Sequence, residues 1–412
     1  MTVTVHAPGL VLTEHEFHVP LDHAVPDGEQ ITVFAREVAD PPGRDRPFLV
    51  FLQGGPGQEA PRPTRGPTAP SWLDRALSEY RVLMLDQRGT GRSTPIGDLA
   101  GMTPPKQAER LALFRADAIV QDAEWIRREL GVDRWSILGQ SFGGFCALNY
   151  LSVAAESLHE AFFTGGVPPV GRAVDDIYRA TYATMLQRNR RYYQRYPGDR
   201  ERVRALHELF NAGEISLPNG TMTSRWFRQV GNVLGMSDGA ERLHYLIERD
   251  PQSPAFVWEL AAALPFNGRN PLYVVLHEAS YADGETTRWS ADRVMPPEFR
   301  EDITLFTGEH VFPWNLDDDN DLSPLREAAH LLAEHAWPPL YNADALKSCS
   351  VPCAAAVYAE DAYVNRVFSE ETASLMPTMR TWVTNEYEHN ALRADGGRVL
   401  HRLIGIARGT TP

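Results

Sequence analysis

Gly139-Gln-Ser-Phe-Gly143, followed by Gly144, sets a serine between two glycines at the spacing G-x-S-x-G. A nucleophilic hydroxyl needs this arrangement. Such a serine sits on a sharp strand-to-helix turn with strained backbone angles, and flanking glycines let neighbouring chain pass without a Cβ clash. Context makes the pentapeptide specific, because a strand-like run over residues 135–138 precedes it and a helical pattern over 145–153 follows. A glycine-rich loop that merely turns would lack those flanks. Acyl transfer from serine also needs preorganised N–H donors for the tetrahedral oxyanion. One expected donor is the backbone of Phe142. The other is Gly55, in the loop Gln53-Gly-Gly-Pro-Gly57 at the end of an early apolar run. A phosphate cradle is disfavoured there, since the chain contains no G-x-x-x-x-G-K-[ST].

These groups must be held by a scaffold, and the patterning describes one. Residues 14–20 and 30–38 read as an antiparallel hairpin around the turn-rich segment 23–28. Phe48-Leu-Val-Phe-Leu52, Val82-Leu-Met-Leu85, Trp135-Ser-Ile-Leu138 and Ala161-Phe-Phe163 are apolar without alternation, as expected of strands covered on both faces. Between the second and third, Ile119, Ala123, Ile126 and Leu130 share one face of a helix over residues 115–130, which Gly131 closes. Alternating strands and helices imply a largely parallel sheet. From about 168 to 340 the pattern is helical and rich in Arg, Tyr and Trp; strands resume at 351–358 and 381–384, and a helix follows over 397–407. The expected organisation is an α/β-hydrolase fold with a mostly parallel sheet: core over 1–167, a large helical cap over 168–340 inserted before the last core strands, and core again over 341–412. The acidic cluster at 317–320 reads as a solvated loop, because the remaining ligand pattern of a calcium site is missing.

In that fold the catalytic groups follow the chain order Ser, Asp or Glu, His. Beyond residue 351 the histidines are His389 and His401. His401 falls inside the C-terminal amphipathic helix and reads as structural. His389 lies in a loop after strand 381–384, so it is the expected base. Asp361, just past strand 351–358, is the expected orienting acid, with the adjacent Glu360 as its competitor. Loop carboxylates are usually solvated, so Asp361 rests on position and not on residue type.

Gly54-Gly-Pro-Gly57, Asp86-Gln-Arg-Gly-Thr-Gly-Arg-Ser93 and Gly139-Gln-Ser-Phe-Gly-Gly144 together resemble the proline iminopeptidase (prolyl aminopeptidase) family. The second motif is the most specific, a D-Q-R-G-x-G-x-S run directly after the second core strand. The likeness is strong over about 48–169, patchy through the insertion and positional at the C-terminal end. It implies hydrolysis of an N-terminal residue, preferably proline, from small peptides with a free N-terminus. It also implies a cap over Ser141 with carboxylates that hold the substrate amine. The segments His277-Glu278-Ala-Ser-Tyr281 and Thr307-Gly-Glu309-His-Val-Phe-Pro-Trp314 resemble the family's cap, which makes Glu278 and Glu309 the implied amine-binding residues. A cationic amine in a partly dry pocket wants a close carboxylate, although a glutamate in an acidic protein is ordinarily solvated. Tyr281, Phe312 and Trp314 would line an apolar slot for a pyrrolidine ring, or else fill the cap core. Asp86 and Arg88 are implied to be architectural, an ion-paired turn that braces the site. The chain departs from the family at Gln53, usually His; at Ala359-Glu360 before Asp361, usually a Gly-containing turn; and at Asn390 after His389, usually a small hydroxyl residue. These departures remove no catalytic group but loosen strict proline specificity, and the long insertion implies an enlarged cap.

A net charge of −14 over 412 residues argues against nucleic acid or an anionic membrane as partner, since both select a positive footprint. No stretch reaches eighteen consecutive apolar residues, and residues 1–21 lack the basic-then-apolar pattern of a secretory leader. Cys146, Cys349 and Cys353 are sparse and odd in number, which fits reduced thiols in a cytoplasmic protein, and no neighbouring Cys or His completes a metal set. No metal or organic cofactor is expected. Two other readings stay open: an esterase or amidase of the same fold with another acyl group, and a non-catalytic binding protein that keeps the fold. Serine at 141 excludes an Asp-nucleophile dehalogenase or epoxide hydrolase.

Overall fold

The computed structural model describes residues 2–65, 71–97 and 99–411. Nine strands form the main sheet: β1 (Thr2–Ala7), β2 (Leu10–Pro20), β3 (Gln30–Ala39), β4 (Phe48–Leu52), β5 (Arg81–Asp86), β6 (Trp135–Gln140), β7 (Leu158–Thr164), β8 (Cys353–Tyr358) and β9 (Met379–Thr384). Their spatial order is β1-β2-β3-β5-β4-β6-β7-β8-β9. The first three strands and the β3–β5 pair are antiparallel; from β5 to β9 every pairing is parallel.

The apolar runs form strands because both of their faces are covered. Val50 and Leu52 of β4 point into one core and Leu49 and Phe51 into the other. In the same way Leu83 and Leu85 of β5 oppose Val82 and Met84. Alternate side chains leave opposite faces of a strand, so a strand between two cores is apolar throughout. Helices Ala116–Glu129 and Phe142–Val153 cover one face, while Trp72–Leu77 and Gly396–Ala407 pack together on the other. β1 lies ahead of the expected hairpin. It is an edge strand whose Val3 and Val5 stay exposed, so it contributes little to either core.

The chain between β7 and β8 is helical apart from a small ladder, Ser216–Leu217 against Gly220–Thr221. Its longest helix, Val174–Arg195, buries Tyr178, Tyr182 and Met185 in the same apolar core as Phe142 and Phe145. The insertion is thus continuous with the core beneath it. The acidic cluster at 317–320 is not a solvated loop throughout. Asp318 accepts a forked pair of bonds from Arg225 (2.9 and 2.6 Å). Asp319 is buried against Asn219 (2.6 Å), and burial pushes its carboxyl up to about 6. Asp317 and Asn320 remain exposed. All three cysteines are buried and unpaired, and no helix among the described residues is long and apolar enough to cross a membrane.

Candidate active site

Ser141 stands between β6 and the helix Phe142–Val153 with φ 55°, a strained value for a residue with a Cβ. Its N–H is tied to Thr164 O of β7 at 2.8 Å. The flanking glycines are there for space. A methyl at Gly143 would lie 1.9 Å from the carbonyl oxygen of Leu52, and one at Gly139 would lie 2.4 Å from Gly143 O. The turn therefore fits only against the end of β4, which brings the loop after β4 beside the serine.

Ser141 Oγ is 2.8 Å from His389 Nε2, and His389 Nδ1 is 2.8 Å from Asp361 Oδ2. The other Asp361 oxygen accepts the N–H groups of Tyr363 (2.8 Å) and Val364 (3.0 Å). With Nδ1 donating to the carboxylate, Nε2 is left to accept the serine proton. Both Asp361 and His389 are buried. Burial alone would push the imidazole down; the Asp361 carboxylate, helped by Glu309, outweighs it, so His389 holds its proton above its ordinary value. Glu360, the competing acid, points outward to a salt bridge with Arg191, and that guanidinium lowers its carboxyl. His401 lies exposed on the C-terminal helix and accepts from Arg75 at 3.1 Å.

The serine opens into a cavity of about 760 Å³ whose lining includes Gly54, Gly55, His389, Tyr363 and Glu309. A methyl at Gly54 would come within 3.1 Å of Ser141 Cβ, so the loop after β4 approaches Ser141 closely. Gln53, the departure noted above, shapes that loop: its Oε1 accepts the Gly54 N–H at 2.9 Å and its Nε2 donates to Glu59 O at 3.2 Å. Phe142 begins its helix, where N–H groups are not used within the helix. Glu309 is held by the Tyr273 hydroxyl, which donates to one oxygen, and by His277 Nε2, 3.3 Å from the other.

Residues 47–231 match the family described as the alpha/beta hydrolase fold. A solved proline iminopeptidase from Mycobacterium smegmatis is 15% identical, with a TM-score of 0.46 covering 94% of this chain and 98% of that one. The full-length sequence relatives are nearer. A proline iminopeptidase of Aspergillus aculeatus is 34% identical over 425 residues, 97% of this chain and 94% of that protein. One of Aeromonas sobria is 46% identical over 418 residues, 97% of each. The chain belongs to the proline iminopeptidase family.

The two glutamates of the helical insertion part company. Glu309 faces the cavity, whereas Glu278 is not among the residues lining it. Glu278 is buried, accepts the Ala291 N–H at 2.8 Å, and has its carboxyl raised by burial. It organises the cap segment around Ser290–Arg293. Of the two places open to Tyr281, Phe312 and Trp314, the structure gives them the packed one. Tyr281 packs edge-on against Phe145 (5.2 Å) and Phe312 stacks on Trp314 (4.9 Å), so these three rings belong to the cap rather than to the cavity wall. The wall is made instead by Tyr273, Tyr363, Met236, Leu392 and the stacked pair Phe51 and Trp72 (4.6 Å). Tyr363 was within reach of sequence reasoning, two residues after Asp361. Trp72 and Met236 carry no local signal of their place. Arg88 is indeed a buried brace, but its ion-pair partner is Asp122 (2.7 and 2.5 Å); Asp86 instead accepts the N–H groups of Ala60 (3.1 Å) and Arg92 (2.9 Å).

Proposed function

We propose that this proline iminopeptidase is a serine aminopeptidase that releases an N-terminal residue, preferably proline, from small peptides. The observation that carries the reading is a cap carboxylate, Glu309, in the same cavity as a serine bonded to a buried His–Asp pair. Residues 1–167 and 341–412 act as the catalytic core and 168–340 as the cap that selects the substrate. The sparse, unpaired cysteines fit a cytoplasmic setting.

Glu309 holds the cationic N-terminus, which sets the first peptide carbonyl over Ser141. His389 takes the serine proton as Oγ attacks that carbonyl, and Asp361 steadies the imidazolium. The N–H groups of Gly55 and Phe142 bind the oxyanion, and a single such donor is typically worth about 10²–10³ in rate. His389 then protonates the leaving amine. Water, activated by the same ring, attacks the acyl-enzyme and frees the amino acid and Ser141. Every bond and proton is accounted for by the chain's own groups and water. Glu278 supports this site from within the cap, as a positioning residue.

The test compares proline arylamide bearing a free imino group with its N-acylated counterpart and with alanine arylamide. Selective hydrolysis of the free proline compound is the expected result. Equal or better cleavage of the blocked compound, or cleavage of simple esters alone, would keep the serine hydrolase and overturn the aminopeptidase.

A further inference from the structure

The cavity wall carries a positive charge that the steps above leave unused. Arg393 lies in the short helix Ala391–Ala394, directly after the His389 loop, and its exposed side chain lines the same cavity as Ser141 and Glu309. No carboxylate pairs with it among the described residues; its guanidinium rests 3.8 Å from Met236 Sδ. The neighbouring acid on that wall, Asp395, is already engaged by the Tyr387 hydroxyl at 2.6 Å. Glu309 is likewise committed to Tyr273 and His277 rather than to Arg393. The cavity thus presents one carboxylate from the cap and one free guanidinium from the core, with the nucleophile in the same space.

We propose that Arg393 receives the C-terminal carboxylate of the leaving residue, so that the preferred substrates are free dipeptides. This rests on the aminopeptidase reading, in which Glu309 takes the amine. Once the N-terminal residue is seated at Glu309 and its carbonyl at Ser141, what remains of a dipeptide is one residue ending in a carboxylate. A guanidinium offers that group a planar, two-pronged partner. A fully extended dipeptide spans roughly 7 Å, so its two charges are too far apart to be met by one residue and need two. Because Arg393 faces solvent, the pairing is screened and contributes about threefold to fivefold.

The experiment measures kcat/KM for prolyl-alanine and for prolyl-alanine amide, which differ in the terminal charge. The wild-type protein should favour the free acid by about threefold to fivefold. Arg393→Gln should bring the ratio close to one, and Arg393→Lys should keep part of it. A wild-type ratio near one, or a ratio that survives Arg393→Gln, overturns the inference and leaves the aminopeptidase standing. Failure of the wild type to cleave either compound overturns the aminopeptidase reading and this inference with it.

Discussion

Arg188, on the long cap helix Val174–Arg195, forks onto the carboxylate of Glu388, the residue immediately before His389. The same guanidinium donates to the carbonyl of Glu360, immediately before Asp361, at 2.6 Å. One cap side chain therefore ties together the two loops that carry the acid and base of the proposed triad. The helical insertion thereby bears on the separation of Asp361 and His389, which are in hydrogen-bond contact at 2.8 Å.

Removing this clamp should lower kcat more than it changes KM. For Arg188→Ala we expect kcat to fall by about tenfold to a hundredfold, since small misplacements of catalytic groups cost rates of that order. Arg188→Lys should restore little, because an ammonium cannot reproduce the fork. Steady-state kinetics on proline arylamide for both variants checks this, and a wild-type kcat in Arg188→Ala would remove the clamp from the account.

Asp361→Asn should preserve the fold and reduce kcat by roughly 10⁴. One oxygen of Asp361 serves His389 and the other serves two backbone N–H groups. An amide satisfies the backbone only by turning its NH₂ toward His389, which favours the wrong tautomer. Circular dichroism together with turnover numbers separates this outcome from unfolding.

The pH profile follows from the direction of the His389 shift. The ring must be neutral to accept the serine proton, and it holds its proton above the ordinary 6.5 despite burial, because of Asp361 and Glu309. Activity should therefore fall as pH drops through a midpoint above that value. Glu309→Gln removes one charge that favours the imidazolium, so the midpoint should move to lower pH. A neutral ester is the right substrate here, as it has no titrating amine. On proline arylamide the same variant should lose roughly 10–100-fold in kcat/KM, the worth of a hydrogen bond to a charged group, while the N-acylated compound is little affected.

Glu278 is expected to behave differently from Glu309. Glu278→Ala leaves the Ala291 N–H buried without its acceptor, which should cost about 1–3 kcal/mol of stability and lower the Tm. The ratio of free to N-acylated substrate should stay near the wild-type value. A selective loss on the free amine would return Glu278 to amine binding.

Much of the site was legible in the linear chain because its logic is local. The strained turn at Ser141 requires glycines at fixed offsets, and β4 runs over Phe48–Leu52 as expected because a strand between two cores must be apolar at every position. His389 and Asp361 followed from chain order and from their places just past β9 and β8. The choice between Glu309 and Glu278 was not legible. Both are cap glutamates in segments of similar character, and only packing turns one into the cavity and the other onto a backbone N–H. The same holds for Asp318, half-buried against Arg225, and Asp319, buried, within a stretch whose composition suits solvent, and for Arg188 and Glu388, 200 residues apart. Residue type and short-range spacing determine which groups can do chemistry and which elements carry them. Which face each cap side chain presents depends on contacts between elements distant in sequence, and those exist only once the chain has closed over its core.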